Sequence, residues 1–94
     1  MSFKPAVSSI IGKKISGVVY LSVDGGRRHS LILTFEDDSH IEFYSYAHIH
    51  GLCGAYDGGF DQVLADSMKE RAQSIEFAVP KPDYELRPDI LLQA

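Results

Sequence analysis

The residues best suited to chemistry crowd into one stretch, YAHIHGLCGAYDGGFD at positions 46–61. His48 and His50 stand at i and i+2, which in an extended segment puts both imidazoles on one side, as chelation of a single cation requires. Cys53 follows with a thiol and Asp57 with a carboxylate, so the four form a candidate ligand-binding set. Cys53 would act as a nucleophile only with its pKa lowered, by His50 or by the helix expected near position 61. Four glycines work against both uses: Gly51, Gly54, Gly58 and Gly59 make this a turning connection, in which no regular structure holds a ligand in place. A structural zinc site also wants four closely spaced ligands, usually with more than one cysteine. The expectation is therefore no metal, no cofactor and no catalytic set, with positions 46–61 kept as an alternative small-molecule or metal site.

The His48-Ile49-His50 pair resembles the metal strand of the cupin family, and departs from it at once. That pattern continues to a glutamate and takes a further histidine from a later motif. Here Gly51-Leu52-Cys53-Gly54 follows, and no histidine occurs after His50. A second row, His40, Glu42 and Tyr44, has acid, base and orienting types at strand spacing, but exposed polar positions on a strand produce such rows by default. Glu36-Asp37-Asp38 reads as a solvated hairpin end. Gly25-Gly26-Arg27-Arg28 lacks the strand-to-helix setting of a phosphate cradle.

The elements that must position these groups fit in one domain, since the chain has 94 residues. A hydrophobic fraction of 45% with 23% charged residues is globular composition. The net charge of −4 argues against nucleic acid, whose phosphates call for a basic face. A single cysteine allows no intrachain disulfide and fits a reducing compartment. The N-terminus has no signal-peptide core and no window is long enough for a membrane span, so the expected location is cytoplasmic.

Pro5 at a first helical position and Gly12 as a stop predict a short N-terminal helix over 5–11. From Lys14 the period becomes two. Strands are expected over 14–23, 30–36 and 40–46, joined by turns at Asp24-Gly25-Gly26 and Asp37-Asp38-Ser39. An amphipathic helix follows over 61–73, capped by Asp61, with Phe60, Val63, Leu64, Met68 and Ala72 as its stripe. A fourth strand spans 74–79. The predicted fold is α+β: a four-stranded, mainly antiparallel sheet, a meander plus a fourth strand, covered on one face by one helix. Residues 1–79 form the domain and 80–94 an extended, proline-rich tail.

The face expected beneath the helix holds Ile15, Val19, Leu21, Leu33, Phe35, Ile41, Phe43, Ile75 and Phe77. The other carries Val18, Tyr20, Ile32, Tyr44 and Tyr46, more large groups than a solvated face needs. With Leu91 and Leu92 of the tail, those five form the expected interaction surface. The sequence thus points to a small interaction module rather than an enzyme, self-associating as a homodimer through its tyrosine-bearing sheet face and its tail.

Overall fold

The structure is a computed structural model that describes residues 7–46, 49–70 and 73–84; residues 46, 49, 50, 52, 53 and 55 are described as backbone. One antiparallel sheet and one helix make up the regular structure. Strands β1 (Ile15–Val23), β2 (Arg28–Phe35), β3 (Ser39–Tyr46) and β4 (Ile49–Asp57) form a meander, helix α1 (Phe60–Lys69) follows, and β5 (Gln73–Pro80) returns to pair with β1. The strand order is β4-β3-β2-β1-β5, so α1 carries the chain from one edge of the sheet to the other.

The fold class is as expected, with five strands in place of four. The extra strand is β4, which occupies most of the stretch read as a glycine-rich connection. Its glycines serve the sheet. A Cβ on Gly51 would land in the ring of Tyr44, its partner on β3, and Gly54 takes φ +130 at a bulge where two steps of β4 oppose one of β3. The N-terminal helix also differs: Val7 and Ser8 are helical and turns run on to Gly12, whose φ of +83 ends the segment, while Pro5 lies outside the described residues.

Both predicted turns form. Asp24 and Gly25 adopt left-handed backbone (φ 52 and 67) within the four-residue connection from Val23 to Arg28. Asp38 does the same (φ 63) between β2 and β3, where its N–H donates to the Phe35 carbonyl at 3.2 Å.

The first hairpin pairs Val19 with Ile32 and Leu21 with Ser30. Cross-strand partners share a face, so Ile32 lies under the helix with Val19 and Leu21, not on the far face with Val18 and Tyr20. These three pack with Phe60 and Val63 in one buried cluster, joined by Leu64, Ile75, Ala78 and Tyr84. Leu33, Phe35, Ile41 and Phe43, expected beneath the helix, lie on the other side, where Phe35 and Ile41 form a second cluster under Ile10. The chain therefore has a core on each side of its sheet, one roofed by α1 and one roofed in part by the N-terminal turn.

Helix α1 is shorter than predicted, ending at Lys69, because Glu70 turns extended to lead into β5. Gly59 rather than Asp61 stands at the N-cap, and Asp61 is fully buried in the first turn, near the positive end of the helix dipole. Phe60, Val63 and Ser67 face the sheet, whereas Met68 is 58% exposed.

The Phe60 ring lies against Gly17, occupying the space a Cβ there would need. Gly17→Ala is thus expected to destabilise the fold by about 1–3 kcal/mol through overpacking. In urea unfolding, adding Phe60→Leu to that variant should cost less than the two single changes summed, since the smaller side chain relieves part of the clash that the added methyl creates.

Candidate functional site

Helix α1 contacts β5, β1 and β2 on one side of the sheet. The other side is built from rows of cross-strand partners. Phe77, Tyr20, Leu31 and Phe43 are successive partners across β5, β1, β2 and β3 and form one row. Val79, Val18, Leu33 and Ile41 form the next. Neither row contains an ionisable group apart from the Tyr20 phenol. A third row, Ser74, Ser22, His29 and Ser45, is polar, and Glu76 accepts a hydrogen bond from the Ser22 hydroxyl at 2.6 Å beside it.

This face is not level. The Tyr20 ring stacks between two others, with His29 at 5.6 Å and 5° and Phe77 at 5.2 Å and 19°, a three-ring ladder across β2, β1 and β5. Offset stacks of this kind fix ring orientation and add about 0.5–1.5 kcal/mol per pair beyond burial. At the β5 edge Phe77 is 47% and Val79 57% exposed. Toward β3 the surface falls into a hollow of about 240 Å³, lined by Tyr20, His29, Leu31 and Phe43, with Tyr44, Ser45 and Gly51 completing it.

The expected interaction residues therefore separate. Val18 and Tyr20 lie on this open face. Ile32 is only 5% exposed in the helix-side core. Tyr44 pairs with Ser30, on the helix side of β2, and its ring covers Gly51. Tyr46 ends β3 and only its backbone is described; Leu91 and Leu92 lie outside the described residues. In their place the register brings in Leu31, Leu33, Phe43, Phe77 and Val79. What signalled them was the two-sided apolarity of β1 and β2 together with the length of the first turn.

Of the candidate ligand set, His48 lies outside the described residues. His50 and Cys53 are positions of β4, where His50 pairs with Ser45 and Cys53 is the extra residue of the bulge. Asp57 ends the strand, exposed, opposite Ser39. Among the described residues no group of three or more His, Cys, Asp or Glu is placed to hold a metal ion.

The His40 row falls on the helix side. Nδ1 of His40 donates to the Gly58 carbonyl at 2.7 Å, and its ring meets Tyr56 at 5.6 Å. His40 and Glu42 line a shallow cleft of about 170 Å³ with Asp66, Glu70 and Gln73. Gln62 donates to Asp66 at 2.9 Å, and the Ser67 hydroxyl is spent on the Val63 carbonyl at 2.7 Å. This arrangement presents carboxylates but no activated nucleophile.

One ion pair ties the N-terminal segment to the turn after β2, and a second ties the residue after β5 to the same turn. Lys13 donates to Ser39 at 2.8 Å, pairs with Asp37 at 2.9 Å and lies 5.5 Å from the centre of the Phe35 ring. Lys81 pairs with Glu36 across from it. The hydrogen bond from Ser39 and then that from Lys13 hold the Asp37 carboxyl below its ordinary value of 3.8. The hydrogen bond from Lys81 holds Glu36 below 4.5.

No protein-family model, curated protein or solved structure matches the chain. Among the described residues no helix is long and apolar enough to cross a membrane.

The two lowered carboxyls give a signed pH dependence. Each binds its proton more weakly in the folded chain, so its stabilising effect is present above the ordinary carboxylate range and is lost as pH falls through the lowered values. Thermal melts should therefore show a midpoint that declines below about pH 4. Asp37→Asn should flatten that decline while leaving the chain less stable at pH 7; an unchanged acid slope would mean that the pair contributes nothing.

Proposed function

We propose that this chain is a non-enzymatic interaction module whose working surface is the open face of its sheet, and that the partner is a second copy of itself. The observation that carries the reading is the pair of apolar rows opposite the helix, ending at the exposed Phe77 and Val79. A sheet face turned to water ordinarily alternates to polar residues; two continuous rows of Val, Leu, Phe and Tyr mark a face that is covered in use.

Charge at this face does not stand against a like partner. The chain carries −4, so two copies repel unless they meet on neutral surface, and these rows supply it. A nucleic-acid partner would call for lysine or arginine along the rows, where there is none. The residues from Lys81 to Tyr84 run on the helix side, where Tyr84 meets Phe60 edge-on at 5.3 Å. The proposal therefore rests on the sheet face and needs no contribution from the tail.

Sedimentation velocity tests this. Phe77→Glu and Val79→Glu, at exposed positions, should each leave the fold intact and shift the chain to monomer. Met68→Glu, equally exposed on the outer side of α1, should not. Association that survives both face substitutions would place the contact elsewhere.

A further inference from the structure

The relief of the open face has a regular form. Along the first row, the β5 half stands proud, with Phe77 stacked on Tyr20, while the β2–β3 half is hollow beside Leu31 and Phe43. Along the second row the relief reverses: Ile10 of the N-terminal turn packs on the Phe35–Ile41 cluster at the β2–β3 half, and Val79 lies bare on the β5 half. In each row a raised half lies across from a lowered one.

Resting on the self-association proposed above, we infer that two copies pack face to face about a two-fold axis that runs along the strands between β1 and β2, so that Phe77 of each copy fills the hollow beside Leu31 and Phe43 of the other. Rotation about that axis keeps height along the strands and exchanges left for right. It lays β5 of one copy over β3 of the other and β1 over β2. Phe77, Tyr20, Leu31 and Phe43 share one row, so the ring arrives at the height of the hollow. The same rotation brings the Ile10 roof of each copy over the bare Val79 of its partner. Both steps are satisfied together, as a two-fold contact requires when residue i meets j and j meets i.

Size agrees with this fit. A dry cavity of roughly 150 Å³ accepts benzene, and the hollow of about 240 Å³ has room for a phenylalanine ring with margin. An axis along the strands also gives aligned packing of two sheets, whose twist sets them about 30° apart. The footprint spans the four strands from β5 to β3, about 14 Å between the outer two, and belongs to the small class of interfaces. An interface of that class is expected to associate reversibly. An axis perpendicular to the strands would keep β5 over β5: through the first row it stacks the two Phe77 ridges, and between the rows it sets Phe77 over Val79, so neither brings Phe77 to Phe43.

Mixing two variants tests the geometry. Phe77→Ala removes the ridge, and Leu31→Trp fills the hollow; each should weaken its own dimer by roughly tenfold or more, as for loss of a buried anchor. Mixed, the two are complementary. One ring finds one hollow, and the filled hollow faces the missing ring, so native mass spectrometry should show the heterodimer well above its statistical share. A statistical mixture, with Phe77→Glu still monomeric, would overturn this geometry and leave self-association standing. An unmodified chain that is monomeric at every concentration would remove both. Isotope-filtered NMR of the unmodified chain needs no variant. Phe43 lies about 14 Å from Phe77 within one copy, three strand spacings away, so contacts between their rings must arise between copies. Finding them supports the arrangement, and finding Phe77 against Phe77 instead overturns it.

Discussion

The pairing of Val19 with Ile32 in the first hairpin decides what each side of the sheet is made of. Because side chains alternate along a strand, shifting that register by one residue would exchange the two faces of β2, and of β3 and β4 after it. The turn at Asp24–Gly26 holds it, with left-handed backbone at Asp24 and Gly25. At the far end Ser16 bulges out of step. Its hydroxyl meets that of Thr34 at 2.8 Å, and Thr34 donates on to the Gly17 carbonyl at 3.2 Å. These buried polar groups satisfy one another in this register alone, which makes it costly to slip.

From that register follow the two unequal cores. On one side Ile32 joins Val19 and Leu21, and Phe60 seals them by lying over Gly17. On the other, Leu31 and Leu33 are left with Tyr20, Val18 and Phe43, and among the described residues outside the sheet the N-terminal turn reaches across to Phe35 and Ile41. Among the described residues one helix of ten residues covers one face of the five-stranded sheet, and no second helix lies over the other. The open apolar face is thus a consequence of how the pairing distributes side chains that are large on both sides of β1 and β2.

That same two-sidedness limited what the sequence could show. Strand positions and both hairpin turns were legible, because alternation and the Asp-Gly-Gly signal are local. The helix was legible from the spacing of Phe60, Val63 and Leu64. Which face of β2 met the helix was not, since Leu31 and Leu33 are as apolar as Ile32, and only the turn length chooses between them. Strand β4 was hidden for a different reason. Gly51 and Gly54 look like loop residues, yet one makes room for the Tyr44 ring and the other supplies the backbone of a bulge. The histidines and cysteine of that segment drew attention to chemistry, while the surface with the clearest physical imbalance lay on β1, β2 and β5.

The proposal joins these points: among the described residues no element covers the open face in full, and a second copy is proposed to cover it. The clamp of Lys13 on Asp37 and Ser39 belongs to the same design, holding the N-terminal turn that gives the face its relief. Sedimentation equilibrium of the unmodified chain tests the claim most directly, followed from about one micromolar to several hundred, the range of a small reversible interface. The account predicts a mass that rises smoothly from that of a 10.4 kDa monomer toward twice that value and levels there. A mass that stays monomeric across the range would contradict it.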